Sequence, residues 1–163
     1  METAGPFLAI YLNDHLAGAA AGVGRSRALA QAHQGRPDEE RLRRLADEIA
    51  ADRGALLAVM ASLGIPVRHY KSIALSVAER AGRLKFNGSL KERSPLTDVV
   101  EYEFLRLAVE GKAAGWRTLR ALADRTPDLD AAELEKLHDR AQRQIDVLED
   151  LRRTAAAEVF TSG

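Results

Sequence analysis

Two glutamates interrupt an apolar stripe in the segment VVEYEFLRLAVEG, which begins at Val99. Glu103 and Glu110 are seven residues apart, so in a helix both fall on the same face as Val99 and Leu107. An isolated buried charge is costly, and carboxylates on an apolar face therefore indicate either a metal site or ion pairs. The sequence leaves both alternatives open.

Further carboxylates lie on or beside candidate core faces of the neighbouring predicted helices. Asp52 is at the centre of an apolar stripe with Glu48 on its flank, and Asp146 comes level with Glu110 in an antiparallel helix pair. If the second and third helices run parallel, these side chains share one height along the bundle. The candidate ligands for iron or manganese, with water completing the shell, are Glu48, Asp52, Glu110 and Asp146.

A structural role for the same glutamates is the competing interpretation. An antiparallel hairpin that turns near Asp128 puts Glu103 level with Arg152, and we predict an ion pair between these two side chains. Arg106 lies between Glu103 and Glu110 at helical spacing, which is typical of a surface ladder of weak ion pairs.

The composition indicates one ordinary domain over residues 1–163 with a packed core, because 46% of the residues are hydrophobic. The absence of Cys excludes disulfides and thiolate chemistry. The 24 basic and 24 acidic residues balance, so no overall charge favours nucleic acid, and no membrane partner is expected. No signal-peptide pattern is present, and we predict a cytoplasmic protein.

Favourable helix formers dominate, and Gly and Pro divide the chain into four predicted α-helices. Their predicted bounds are 7–34, 38–63, 95–124 and 130–160. Residues 65–94 are predicted to form a long crossover that contains one short helix. This crossover carries seven basic and two acidic side chains, but without a recognition motif a nucleic-acid partner is not expected.

Two helical hairpins joined by one long crossover resemble the ferritin-like superfamily, and the segments YLNDHLAGAAAG and EYEFLRLAVEGKAAGW add to the likeness. The resemblance implies an all-α four-helix bundle. Iron-binding members of that superfamily carry Glu on the first and third helices and E-x-x-H on the second and fourth. Here Glu48 is followed three residues later by Ala51, and the first helix offers Asp14, so the di-iron motif is not intact.

The leading functional prediction is a non-catalytic structural or interaction protein for which no cofactor is expected. The alternative is a divergent iron- or manganese-binding protein with oxidase or metal-handling activity. A second apolar stripe on the third helix predicts a homodimer, although the crossover is an alternative cover for it. The candidate interface residues are Tyr102, Leu105, Val109 and Trp116.

Overall fold

The computed structural model describes residues 5–68 and 94–161, and four long helices form most of both ranges. Helix α1 spans Pro6–Ala32, α2 spans Glu39–Ser62, α3 spans Pro95–Leu122 and α4 spans Ala131–Thr161. A short 3₁₀ turn, Ala123–Arg125, follows α3. The described ranges contain no strand, which confirms the all-α prediction, and each predicted helix end lies within two residues of the observed one.

Proline and glycine set the ends of these helices, as the sequence predicts. Pro6 and Pro95 occupy the first turns of α1 and α3, where a missing backbone N–H costs nothing. Gly35 and Gly64 follow the ends of α1 and α2 with φ of 78° and 65°, a region that other residues rarely adopt. Asp130 starts α4 by accepting two backbone N–H groups at 2.9 and 3.1 Å.

Polar contacts between α1 and α3 show that these two helices run in opposite directions. The Tyr11 hydroxyl lies 3.3 Å from Thr118 Oγ1, which joins the start of α1 to the end of α3. Arg25 Nη1 lies 3.3 Å from Glu101 Oε1, which joins the other two ends. The short turns within each hairpin make α1 and α2, and likewise α3 and α4, antiparallel.

Helices α2 and α3 run in the same direction. Asp38, just before α2, accepts a hydrogen bond from Tyr102 near the start of α3 at 2.8 Å. Further along both helices, Asp52 pairs with Lys112. The end of α2 and the start of α3 therefore lie at opposite ends of the bundle. Most of the predicted crossover, with its short helix, lies outside the described residues.

The face of α3 that was predicted to form a dimer interface lies in the core of the single chain. The side chains that share this burial, each 1–2% exposed, are Tyr102, Leu105, Val109 and Trp116. The interface prediction is therefore wrong for these residues. Its physical reason is that the bundle's other helices already cover this stripe, so no second chain is needed to bury it.

The stripe with the two glutamates is largely an outer face of α3. Leu107 is 63% exposed, and the side chains of Glu103 and Glu110 are 50% and 43% exposed. Of the two apolar residues that share this stripe with the glutamates, Val99 is buried and Leu107 is not. The two carboxylates therefore lie in water on a partly apolar surface. No described helix combines the length and apolar character required to cross a bilayer.

Candidate functional site

Asp52 is the centre of a buried polar cluster that joins α2, α3 and α4. Its side chain is 1% exposed, and both carboxylate oxygens accept hydrogen bonds. Arg140 Nε donates to Oδ1 at 2.7 Å, and Arg140 Nη2 also contacts Oδ1. Lys112 Nζ donates to Oδ2, to which Gln144 Nε2 also donates at 3.1 Å. We call these residues, together with Glu48, the Asp52 cluster.

Gln144 completes the hydrogen bonding of the Asp52 cluster and is itself 1% exposed. Its amide oxygen accepts from Lys112 Nζ, and its amide nitrogen donates to Glu48 Oε2 at 3.0 Å as well as to Asp52. Every oxygen of the buried carboxylate is therefore engaged. A polar network whose buried carboxylate is fully hydrogen-bonded stabilises a unique packing of the helices around it.

The charge state of the cluster depends on opposing effects at Lys112. Burial lowers the pKa of the Lys112 ammonium group below its ordinary value, while the charge and hydrogen bond of Asp52 raise it. Burial is the larger effect. The carboxylate of Asp52 is therefore what makes a charged lysine tolerable at this depth in the bundle.

Sequence reasoning identified Asp52 but missed the side chains that bind it. Lys112 interrupts the second apolar stripe of the third helix, and the parallel direction of α2 and α3 brings it level with Asp52. Arg140 and Gln144 are four residues apart and therefore share one face of α4. That spacing was a usable signal for two polar side chains that point inward together.

The four metal-ligand candidates do not converge on one point. Glu48 and Asp52 are bridged by the amide of Gln144. Glu110 lies on the outer face of α3 and pairs with Arg106 at 3.4 Å, and Asp146 is exposed on α4. These candidates do not form a group of metal-binding atoms in the described ranges. The predicted four-carboxylate site is therefore wrong, because the stripe that carries Glu110 faces outward.

The predicted partners Glu103 and Arg152 do approach each other across α3 and α4. Arg152 Nη1 lies 3.7 Å from Glu103 Oε1, but its nearer partner is Glu149 on its own helix, at 2.7 Å. Arg106 Nε lies 3.5 Å from Glu149 Oε2. These partly exposed charges form a surface ladder, whose pairs contribute little to stability because water screens them.

Sequence reasoning overlooked an E-x-x-H pair on α4, formed by Glu135 and His138. Their ligating atoms and those of Asp139 lie within 4.8 Å of one another, the one such group found among the described residues. His138 Nε2 is buried without a hydrogen-bond partner in the described ranges. This group is separate from the Asp52 cluster, because His138 and Arg140 point roughly 200° apart around the helix.

His33 lies at the centre of a second buried polar cluster at the opposite end of the bundle, and its side chain is 0% exposed. Its Nδ1 is 2.9 Å from Asp38 Oδ2, and its Nε2 is 3.2 Å from Asp98 Oδ1. Tyr102 donates to Asp38 at 2.8 Å, and Arg36 donates to Asp98 at 3.0 Å. We call these five residues the His33 cluster.

Hydrogen bonding controls the acidity of the groups around His33. Burial raises the pKa of Asp38, but hydrogen bonds from His33 and Tyr102 outweigh it and hold that pKa below its ordinary value. Burial and the hydrogen bond to Asp38 raise the pKa of the Tyr102 phenol. The cluster therefore fastens the α1–α2 turn to the first turns of α3, a structural role that the sequence did not predict.

A cavity of about 420 Å³ lies between α1, α2 and α3. Its lining is mostly apolar but includes Asp52 and Lys112, together with Trp116 and His15. The Trp116 indole nitrogen is buried and has no acceptor among the described residues. Burial lowers the pKa of His15, against a smaller opposing effect of Asp14, so that His15 is neutral near neutral pH.

No family model matches this chain, and no curated protein or solved structure matches it either. The fold and the polar clusters therefore define only a class, an all-α bundle of four helices with charged groups paired in its interior. The features that bear on function are the geometry of those clusters and of the cavity between α1, α2 and α3.

Proposed function

We propose that the chain is a non-catalytic four-helix bundle of ferritin-like topology that serves as a structural or interaction protein. The parallel direction of α2 and α3 supports the topology, because it requires one long return connection between the two hairpins. A cytoplasmic location remains a prediction from the sequence.

The saturation of Asp52 is the observation that carries the proposal. Its two oxygens receive donors from Lys112, Arg140 and Gln144, and two of those three residues are cations. A metal ion at the same place would have to displace these donors and approach two positive charges within a few ångströms. Neutralisation of the buried Asp52 carboxylate by side-chain cations supports a bundle that needs no metal at this point.

The exposed apolar surface supports an interaction role. Large apolar side chains that are at least 43% exposed occur on several elements: Phe7, Ile10, Val67, Leu96, Phe104, Leu107 and Phe160. Phe104 and Leu107 are neighbours on α3, three residues apart on one face. We therefore place the proposed dimer interface on this outer face of α3 instead of on the buried stripe.

A divergent metal-binding protein that handles iron or manganese is the second candidate. The group of Glu135, His138 and Asp139 favours it, because an imidazole and two carboxylates within 4.8 Å suit these ions. All three residues come from one helix, and Glu135 and Asp139 are exposed. An oxidase would require further ligands from other helices, which this group does not receive within the described ranges.

Metal analysis of untagged protein, expressed with added iron or manganese, tests the proposal. We expect only traces of either metal in the wild type. Stoichiometric metal that disappears in Asp52→Asn would overturn the proposal. Metal that persists in Asp52→Asn but disappears in His138→Ala would establish the second candidate instead. Circular dichroism of each variant verifies that the helices are retained.

A further inference from the structure

The cavity between α1, α2 and α3 is large enough to hold a small molecule. Its volume of about 420 Å³ falls within the range of roughly 300–1,000 Å³ that ligand pockets occupy. Exposed residues of α1 and α3, among them Gly18 and Gly111, lie on its wall together with the buried core residues Leu105 and Ile49. The cavity therefore extends from the surface groove between α1 and α3 to the core.

Glycines keep the outer walls of this cavity free of side chains. Gly18 on α1 and Gly111 on α3 lie within helices, where glycine is less favourable than alanine. A Cβ atom added at either position meets no heavy atom within 4 Å. Close helix packing therefore does not require glycine at either position. The absence of a side chain there leaves open space at the cavity wall.

Two cationic residues that line the cavity have unused hydrogen-bond donors. Trp116 also lines it, but its Nε1, which has no acceptor in the described ranges, is itself buried. Lys112 is one helical turn away on the same face, and its ammonium group has two acceptors for three N–H donors. Arg53 lines the cavity without an ion pair among the described residues. Of the two carboxylates in the lining, Asp14 is exposed to solvent, and the oxygens of Asp52 are already engaged.

The side chains that line the cavity also indicate that the non-polar part of a ligand would be aromatic. Trp116, Tyr11 and His15 contribute three aromatic rings to the lining, and the rings of Tyr11 and His15 are in edge contact at 4.4 Å between centroids. Aliphatic side chains of α2 and α3 supply most of the remaining surface. Aromatic rings pack favourably against such walls.

We propose that this cavity binds a small aromatic carboxylate, whose rings lie against the apolar walls and whose oxygens accept hydrogen bonds from Lys112 and Arg53. A carboxylate fits because it accepts and does not donate hydrogen bonds, which complements a wall with spare donors. The proposal goes beyond the structural role proposed above and does not depend on whether any metal binds.

The single tryptophan provides a direct readout. With one Trp in the chain, a ¹⁵N-labelled sample shows one indole N–H signal by NMR. We expect titration with 2-naphthoate to move this signal, because Trp116 lines the cavity, and to saturate. Naphthalene, which lacks the carboxylate, should bind at least about tenfold more weakly. Absence of saturable naphthoate binding by the wild type, or equal binding of naphthalene, would overturn the proposal.

Three glycine variants separate this cavity from non-specific binding. Gly18→Leu and Gly111→Leu place side chains in the open space from two different helices, and each should weaken naphthoate binding by at least about tenfold. Gly24→Leu is the matched control, because Gly24 is exposed on α1, meets no atom within 4 Å and does not line the cavity. Equal affinity in all three variants would refute the assigned site.

Discussion

Replacing Asp52 by Asn would show whether the Asp52 cluster stabilises the bundle. The substitution preserves the size of the side chain but removes the carboxylate charge that pairs directly with both Lys112 and Arg140. Loss of one partner from a buried ion pair costs about 3–5 kcal/mol. The cationic side chains are 17% and 29% exposed, so water relieves part of that cost. We therefore expect the free energy of unfolding to fall by about 3 kcal/mol.

A surface pair between the same two helices supplies the control. Arg41 on α2 lies 2.8 Å from Asp150 on α4, and their side chains are 42% and 63% exposed. Asp150→Asn should cost less than about 1 kcal/mol, because water screens this pair. Urea unfolding, followed by circular dichroism and by the fluorescence of the buried Trp116, measures both variants. If Asp52→Asn costs no more than Asp150→Asn, the cluster does not hold the helices together.

The pH dependence of Asp52→Asn tests the same reasoning independently. Burial already lowers the pKa of Lys112 from 10.5, and loss of the Asp52 charge lowers it further. A base whose pKa is lower in the folded state binds fewer protons there, so stability rises with pH between that lowered pKa and 10.5. The deficit of the variant should therefore shrink at alkaline pH. Adding Lys112→Met should recover part of the loss at neutral pH, and an unchanged deficit would contradict this account.

Two further predictions concern the His33 cluster and the outer face of α3. The pKa of Asp38 is lowered from 3.8, so its contribution to stability is present above that pH and is lost as the pH falls through the folded value. Asp38→Asn should flatten the acid limb of the unfolding free energy, and parallel curves for variant and wild type would contradict this. Light scattering should detect self-association that Leu107→Lys removes, because Leu107 is 63% exposed. A wild type that stays monomeric at high concentration would end the dimer hypothesis.

The ends of the helices were predictable because the signals that stop a helix are local. Gly35 and Gly64 adopt the left-handed conformation expected after a helix, and Pro6 and Pro95 begin helices. Register along antiparallel pairs was also accessible by counting from the turn, which brought Arg152 level with Glu103. These inferences need only chain geometry and the conformational limits of single residues.

The inward face of α3 was not predictable, because this helix carries two apolar stripes. Periodicity assigns Leu107 and Leu105 to different faces but does not say which face meets the bundle. The structure buries Leu105 to 2% and leaves Leu107 63% exposed. Because the face with Leu105 is the buried one, Glu110 lies on the outer face and cannot join the predicted metal site. Lys112 lies on the inner side and contacts Asp52.

Pairings across the bundle were also beyond reach, because they depend on which helices are adjacent and in which direction they run. The partners Lys112 and Arg140 lie 60 and 88 residues from Asp52 in the chain. His33 and Asp98 are 65 residues apart. No local pattern says which of these residues pair with one another, whereas the E-x-x-H spacing of Glu135 and His138 was present in the sequence and could have been found there.

The position of His33 links the folding of the two hairpins. Its ring contacts Asp38 beside its own turn and Asp98 of the other hairpin. If the second hairpin separates, this buried ring loses its contact with Asp98. We therefore expect opening at that end of the bundle to be coupled across both halves, so that the halves unfold together rather than as independent units.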